Sequence, residues 1–157
     1  METLKFDGEN KGGINVNSVK ILDVDTLTTM PDAINMVISE AVGSTNDWKV
    51  LPLREQNSEF QELETPPGSG IYKVTFTANI MKQSGAKTQL LYALSKKRFL
   101  IDFTDMNGER RLAGSLSEPL ALPLPRMDTR RQYKEGNEYQ LIFTAVRRGP
   151  TAYYEPA

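Results

Sequence analysis

The chain has 157 residues, of which 39% are hydrophobic and 25% charged, and a net charge of −1. That size suits one well-formed core and is short for two ordinary domains, and the composition is that of a globular protein. The absence of cysteine and histidine excludes disulfides, thiolate zinc sites, a cysteine nucleophile and a serine–histidine triad, leaving carboxylates, lysine or tyrosine for any catalysis.

Residues 1–13, METLKFDGENKGG, are polar and glycine-containing, with only Leu4 and Phe6 as anchors, and read as a flexible arm or loose edge strand. They hold no apolar core for a secretion signal, and no run in the chain approaches the roughly 18 apolar residues of a membrane span, so a cytoplasmic start and no membrane partner are expected. Ile14–Val24 reads as a strand, with Val19 and Ile21 on one side and Leu22 and Val24 on the other. Thr29 as a cap, Pro31 in the first turn and the spacing of Ile34, Val37, Ile38 and Ala41 before Gly43 predict a short amphipathic helix, or failing that a loop packed by the same residues. Trp48–Leu53 reads as a strand that Pro52 confines to an edge.

Arg54–Gly70 turns acidic and ends in TPPGSG, which predicts a loop or linker. Ile71–Ile80 then alternates with a period of two, Tyr72, Val74, Phe76, Ala78 and Ile80 on one face, and is the clearest strand. Ser84-Gly85 starts a helix over Lys87–Lys97, with Leu90, Leu91 and Leu94 on one stripe and Lys96 and Lys97 at its negative end. Arg98–Ser115, RFLIDFTDMNGERRLAGS, reads as a hairpin. Phe99, Ile101 and Phe103 point inward, their neighbours outward, and Asp105-Met106-Asn107-Gly108 supplies the turn.

Three prolines in the 116–127 segment predict an extended course along a sheet edge. Asp128–Asn137 reads as a charged loop carrying Arg130 and Arg131. Glu138–Val146 alternates again, with Tyr139, Leu141, Phe143 and Ala145 inward, before a tail over 151–157. The organisation is thus an arm over 1–13, one β-rich domain over 14–150, and the tail. The expected fold class is α+β: a mostly antiparallel β-sandwich or partial barrel with one or two short covering helices.

Charge divides unevenly, with 6 basic against 12 acidic residues over Met1–Ile80 and 13 against 8 over Met81–Ala157. Either the two signs mix in three dimensions, or the basic half meets nucleic acid, an acidic partner or the acidic half of another copy. Basic pairs recur at Lys96-Lys97-Arg98, Arg110-Arg111, Arg130-Arg131 and Arg147-Arg148, with Tyr133, Tyr139, Tyr153 and Tyr154 among them. Arginine with stacking aromatics is what single-stranded nucleic acid binding requires, yet no nucleic-acid motif accompanies it. Solvated strand ends and subunit contacts account for the same residues, and the candidate interface is Arg110, Arg111, Arg130, Arg131, Arg147, Arg148, Tyr153 and Tyr154.

The remaining motifs reduce to structural roles. Asp105–Glu109 has the start of a calcium loop, but position 114 is glycine where a bidentate glutamate is needed, and Asn-Gly is itself a turn signal. Ser84-Gly85-Ala86-Lys87 has the Ser-x-x-Lys spacing of some acyl enzymes without their other elements, and a serine helix cap accounts for it. Gly68-Ser69-Gly70 precedes a strand and has no third glycine opening a helix, so it is no nucleotide fingerprint. Asp23/Asp25 and Asp102/Asp105 are not assignable as a catalytic pair from spacing. No cofactor, metal or catalytic residue is expected.

From Ile71 onward the chain resembles the small tail-structural proteins of tailed bacteriophages and prophages, of the tail-tube or distal-tail kind. The resemblance lies in YKVTFTANI, a short helix, RFLIDFTDMNGERRLAGS, SEPLAL and GNEYQLIFTAVRRGPTAYY, about half the chain. It implies a β-sandwich or barrel that packs into rings, a non-enzymatic role in the virion tail after assembly in the bacterial cytoplasm, and as partners other copies and other tail proteins. The alternative function is a binding module for nucleic acid or an acidic protein.

Overall fold

A computed structural model describes residues 14, 18–50, 58–81, 85–122, 126–128 and 138–156. The expected arm over 1–13 and the loop residues 129–137 lie outside them. The described chain is mostly antiparallel β-sheet with one short helix. Its strands are β1 (Lys20–Asp23), β2 (Val37–Ile38), β3 (Lys49–Val50), β4 (Glu59–Glu64) and β5 (Ile71–Met81), then α1 (Gly85–Leu94), β6 (Arg98–Thr104), β7 (Arg110–Ala113), β8 (Leu120–Ala121), β9 (Arg126–Asp128), β10 (Glu138–Arg148) and β11 (Ala152–Tyr154).

They form one open sheet in the order β2-β11-β7-β6-β8-β10-β5-β4, with β1 on the other edge of β6, β3 on β1, and β9 beside β10. The longest ladder joins β5 to β10 over eleven residue pairs, from Glu138 opposite Met81 to Arg148 opposite Ile71. Among the described strands only β11 and β2 run parallel. The two-residue β8 pairs with β6 through Arg98 and Phe99 and with β10 through Thr144, and so links the two halves of the sheet.

The alternation of Phe99, Ile101 and Phe103 places them on one face of β6, where they meet Val74, Phe76 and Ala78 of β5 and Leu141 and Phe143 of β10 in the larger core. Phe103 lies 4.9 Å from Phe60 of β4 and 5.4 Å from Phe76, and Phe99 meets Phe143 edge-on at 5.8 Å. β6 and β5 are not ladder neighbours, so the sheet must curve strongly for these rings to touch. Leu91 of α1 is buried in this core and Leu94 packs partly against it. A second core lies on the other face of β6, where Leu22, Leu100, Leu112, Ile38 and Tyr154 are covered by Leu27, Met30 and Trp48.

Several expectations are corrected. Leu100 and Asp102, read as outward-facing, are buried under the segment that precedes β3. That segment contains no helix over Thr29–Gly43. Asn35 and Met36 both take positive φ, 53° and 67°, in a two-residue hairpin turn closed by Ile34 N to Val37 O at 2.9 Å and Val37 N to Ile34 O at 3.0 Å. Asn at the first of these positions explains the turn, since its short side chain tolerates the left-handed region. Residues 59–64, read within a loop, form β4: beneath the acidic composition EFQELE alternates, and Phe60 faces the core. The 116–127 segment supplies β8 between β6 and β10, inside the sheet; its prolines flank the two paired residues, which keeps the ladder short, and Leu120 and Leu122 are buried. The tail over 151–157 contains β11, inserted between β7 and β2 with Ala152 and Tyr154 buried.

The 105–109 turn is also sharper in kind than Asn-Gly alone indicates. Asp105 O accepts from Gly108 N at 3.1 Å, Asp105 N donates to Glu109 O at 2.9 Å, and of the turn residues only Gly108 has positive φ, at 88°. This is a type I turn closed by a glycine bulge, a three-residue hairpin loop.

Gly114 turns the chain out of β7 at φ 86°, and a Cβ there would lie 3.1 Å from Leu120 Cδ1, 3.2 Å from Leu100 Cδ2 and 3.3 Å from Phe99 O. Gly114→Ala is therefore expected to destabilise the fold by about 3 kcal/mol in urea titration, from the left-handed penalty plus the overlap. Met36→Gly is expected to stabilise it by roughly 0.5–1 kcal/mol, since Met36 is 40% exposed and its positive φ is unfavourable for a long side chain.

Candidate functional site

Successive residues of a strand point to opposite faces, and this separates the basic pairs. Arg110 and Arg111 stand on opposite sides of β7. Arg110 reaches the second core, where Nε donates to Asp102 Oδ1 at 2.8 Å and Nη2 to Asp102 Oδ2 at 2.6 Å, while its guanidinium lies 4.7 Å from the centre of the Tyr154 ring. The hydrogen bond that Arg110 donates to Asp102 raises the Arg110 pKa above its ordinary value, burial opposes that rise, and the carboxylate charge adds to it. Arg111 lies on the first face, 4.8 Å from the Tyr153 ring and 5.8 Å from Phe60, and donates to the Tyr153 hydroxyl at 3.0 Å.

Tyr153 and Tyr154 separate in the same way. Tyr154 is 4% exposed and its hydroxyl accepts from Val42 N at 2.9 Å, which ties the segment between β2 and β3 to β11. Arg148 is exposed, whereas Arg147 is half-buried, with Nε shielded and without a hydrogen-bond partner. Arg130 and Arg131 lie outside the described residues. Of the eight candidate interface residues, the structure therefore brings Arg110, Arg111, Tyr153 and Tyr154 together as two cation–ring contacts across β7 and β11, and leaves Arg148 as an open surface charge.

Three of the carboxylates singled out by sequence, Asp23, Asp102 and Asp105, have local partners. Asp23 Oδ1 accepts from Asp25 N at 3.0 Å and its other oxygen pairs with Lys97 at 3.3 Å. Asp105 Oδ1 accepts from Asn107 N and Glu109 N, which is the turn role and not a calcium shell. Ser84 lies outside the described residues. Among the described residues no group of three or more Asp or Glu side chains is placed to hold a metal ion.

Sequence reasoning did not single out the β4–β5–β10 surface. Across its outer face run the rows Leu63–Lys73–Val146, Gln61–Thr75–Thr144 and Glu59–Thr77–Ile142. Leu63 is 66% and Val146 65% exposed, and Ile71 and Ile142 are also open to solvent. β4 is the last strand of the ordered path, and among the described residues its second edge has no strand partner. The strand alternation of 71–80 and 138–146 gives the outward positions directly; the β4 row was hidden because Glu59–Glu64 reads as an acidic loop. At the end of this hairpin, Glu64 hydrogen bonds to the Tyr72 phenol and raises its pKa.

Comparison with family models, with curated proteins and with solved structures gave no match.

The internal Asp102–Arg110 pair supplies a direct test. Arg110→Met removes the partner of a carboxylate that is 6% exposed and is expected to cost about 2 kcal/mol in urea titration. That lies below the cost of breaking a fully buried pair because the arginine side chain is 39% exposed. Asp102→Asn together with Arg110→Met is expected to recover part of the loss, since no unpaired buried charge remains.

Proposed function

We propose that this chain is a non-enzymatic structural subunit of a phage-like tail, which joins other copies or other tail proteins through a strand edge and the sheet face beside it. The observation that carries the reading is the outer edge of β4, which has no strand partner among the described residues, next to an outer face bearing Leu63, Val146, Ile71 and Ile142. An open edge offers unpaired N–H and C=O groups to a partner strand, and apolar side chains next to it add burial on pairing. Glu59, Glu62 and Glu64 give the edge strand a negative character, which favours a partner strand carrying Lys or Arg and sets the direction of contact.

The architecture that fits this role is a sandwich or partial barrel. Three contacts between β4 and the β6–β7–β11 half of the sheet support it: Phe60 of β4 against Phe103, Arg111 of β7 over the Phe60 ring, and Thr151 N bonded to Glu62 Oε1 at 2.6 Å. A curved sheet of this kind presents its outer face to neighbours while its inner face is filled with phenylalanine. Arg110 and Arg111 have internal partners, so Arg148 is the basic residue of the candidate set that is available for contact among the described positions.

The test is light scattering after size exclusion, with negative-stain imaging, as a function of protein concentration and salt. Rings or stacks are expected, weakened by Glu62→Pro, which removes a main-chain N–H that alternates away from the β5 ladder toward the open edge, by Leu63→Lys with Val146→Lys, which charges the face, and most at low ionic strength by Arg148→Glu. Assemblies indifferent to all three substitutions would exclude this surface. A salt-sensitive gel shift with single-stranded nucleic acid would favour the nucleic-acid module instead.

A further inference from the structure

Beside β11 an open cleft of about 450 Å³ lies where the 30–33 segment, β2, β7, the 114–117 turn and the end of β10 converge. Leu112, Ile38 and Ala152, all buried, line it together with Met30, Pro31 and Leu116. Arg147 is the single cation of this lining and Asp32 the single anion. The volume suits a small organic ligand, and a mostly apolar wall with one convergent charged group is the usual form of such a site.

Arg147 supplies the chemical signal. Its Nε–H is shielded from water and has no acceptor, and Asp32 does not bond it. A shielded donor without an acceptor is costly, and the planar guanidinium is suited to a carboxylate that takes two parallel N–H bonds. The surroundings of the arginine are fixed: Arg148 N donates to Glu118 Oε2 at 2.9 Å, and Glu118 N donates to Ser115 Oγ at 3.1 Å. The end of β10 and the turn that lines the cleft are thus held together, which lowers the ordering cost of binding.

We propose that this cleft binds a carboxylate carried on a small branched apolar body, the carboxylate meeting Arg147 Nε–H and the hydrocarbon lying against Ile38, Leu112 and Leu116. An inorganic anion leaves the apolar wall wet, and an uncharged hydrocarbon leaves the Nε–H unpaired. The chemistry is shared by a free aliphatic acid and by the C-terminal leucine of a peptide. The inference does not depend on tail assembly.

The test is NMR titration of the full chain, following the backbone amides and the arginine Nε–H signals. The probes are 4-methylpentanoate, its uncharged amide 4-methylpentanamide, and the peptide acetyl-Gly-Gly-Leu with a free carboxylate. At least one of the two acids is expected to give saturable shifts at Gly114, Ser115, Ser117 and Arg147 Nε–H, and the amide to bind about tenfold or more weakly. A response to the peptide alone identifies a chain terminus as the source, and a response to 4-methylpentanoate alone a free acid. Arg147→Gln is expected to lower acid affinity by about tenfold with the remaining spectrum unchanged. Leu116→Trp, at a 37% exposed wall position, fills the cleft and is expected to block binding even if the arginine variant does not fold. Equal shifts from acid and amide, shifts mapping elsewhere, or no saturation by either acid would overturn the proposal, as would unchanged binding in Leu116→Trp.

Discussion

Strand β6 has no solvent face over its middle, and the rest of the molecule is arranged to supply both covers. Phe99, Ile101 and Phe103 need an apolar layer on one side, Leu100 needs one on the other and Asp102 a cation there, and all are met within a chain of 157 residues. The first layer is the β5–β10 ladder, brought over β6 by the curvature of the sheet. The second is the irregular segment between β1 and β3, held down by Trp48 and by the Tyr154 hydroxyl. A strand buried on both faces is the natural centre for a domain of this size, because each added apolar side chain removes area from water whichever way it points.

Asp102 is the one charged residue in the buried middle of β6, and its position accounts for the neighbouring basic pair. A carboxylate at 6% exposure requires a cation and hydrogen bonds, and Arg110 on the next strand supplies both in a two-point contact. The arginine in turn lies over the Tyr154 ring, so β6, β7 and β11 are joined by one charge network. Arg111, one residue on, faces the opposite way and joins Tyr153 to Phe60 across the curve of the sheet. The aromatic and basic residues that suggest nucleic-acid contact in the linear sequence thus have work inside the fold at these four positions, which directs attention to the outer face of β4, β5 and β10.

The two functional readings sit in different parts of the structure and draw on different physics. Edge pairing at β4 rests on main-chain groups without a strand partner among the described residues and on exposed apolar area. The cleft at Arg147 rests on a single shielded donor and a preformed apolar wall. Glu118 bears on the second through its bonds to Arg148 N and Ser115 Oγ.

The period-two alternation of 71–80 and 138–146 and the hairpin at Asp105–Gly108 were legible because local side-chain spacing alone fixes which face of a strand is apolar, and the helix over 85–94 because its leucines repeat at helical spacing. The absence of cysteine and histidine likewise limited the available chemistry before any contact was known. β4 was not legible, since Phe60 gains its meaning only from Phe103, more than forty residues away. Neither was the turn at Asn35-Met36, where helical spacing of Ile34, Val37 and Ile38 competed with a short pairing to β11. Nor was the burial of Tyr154 or the placement of Arg147 beside Leu112 and Ser117. Local periodicity assigns a residue to a face, but what covers that face is set by strands distant in sequence, and in an open, curved sheet only the tertiary structure decides which surfaces are closed and which remain for a partner.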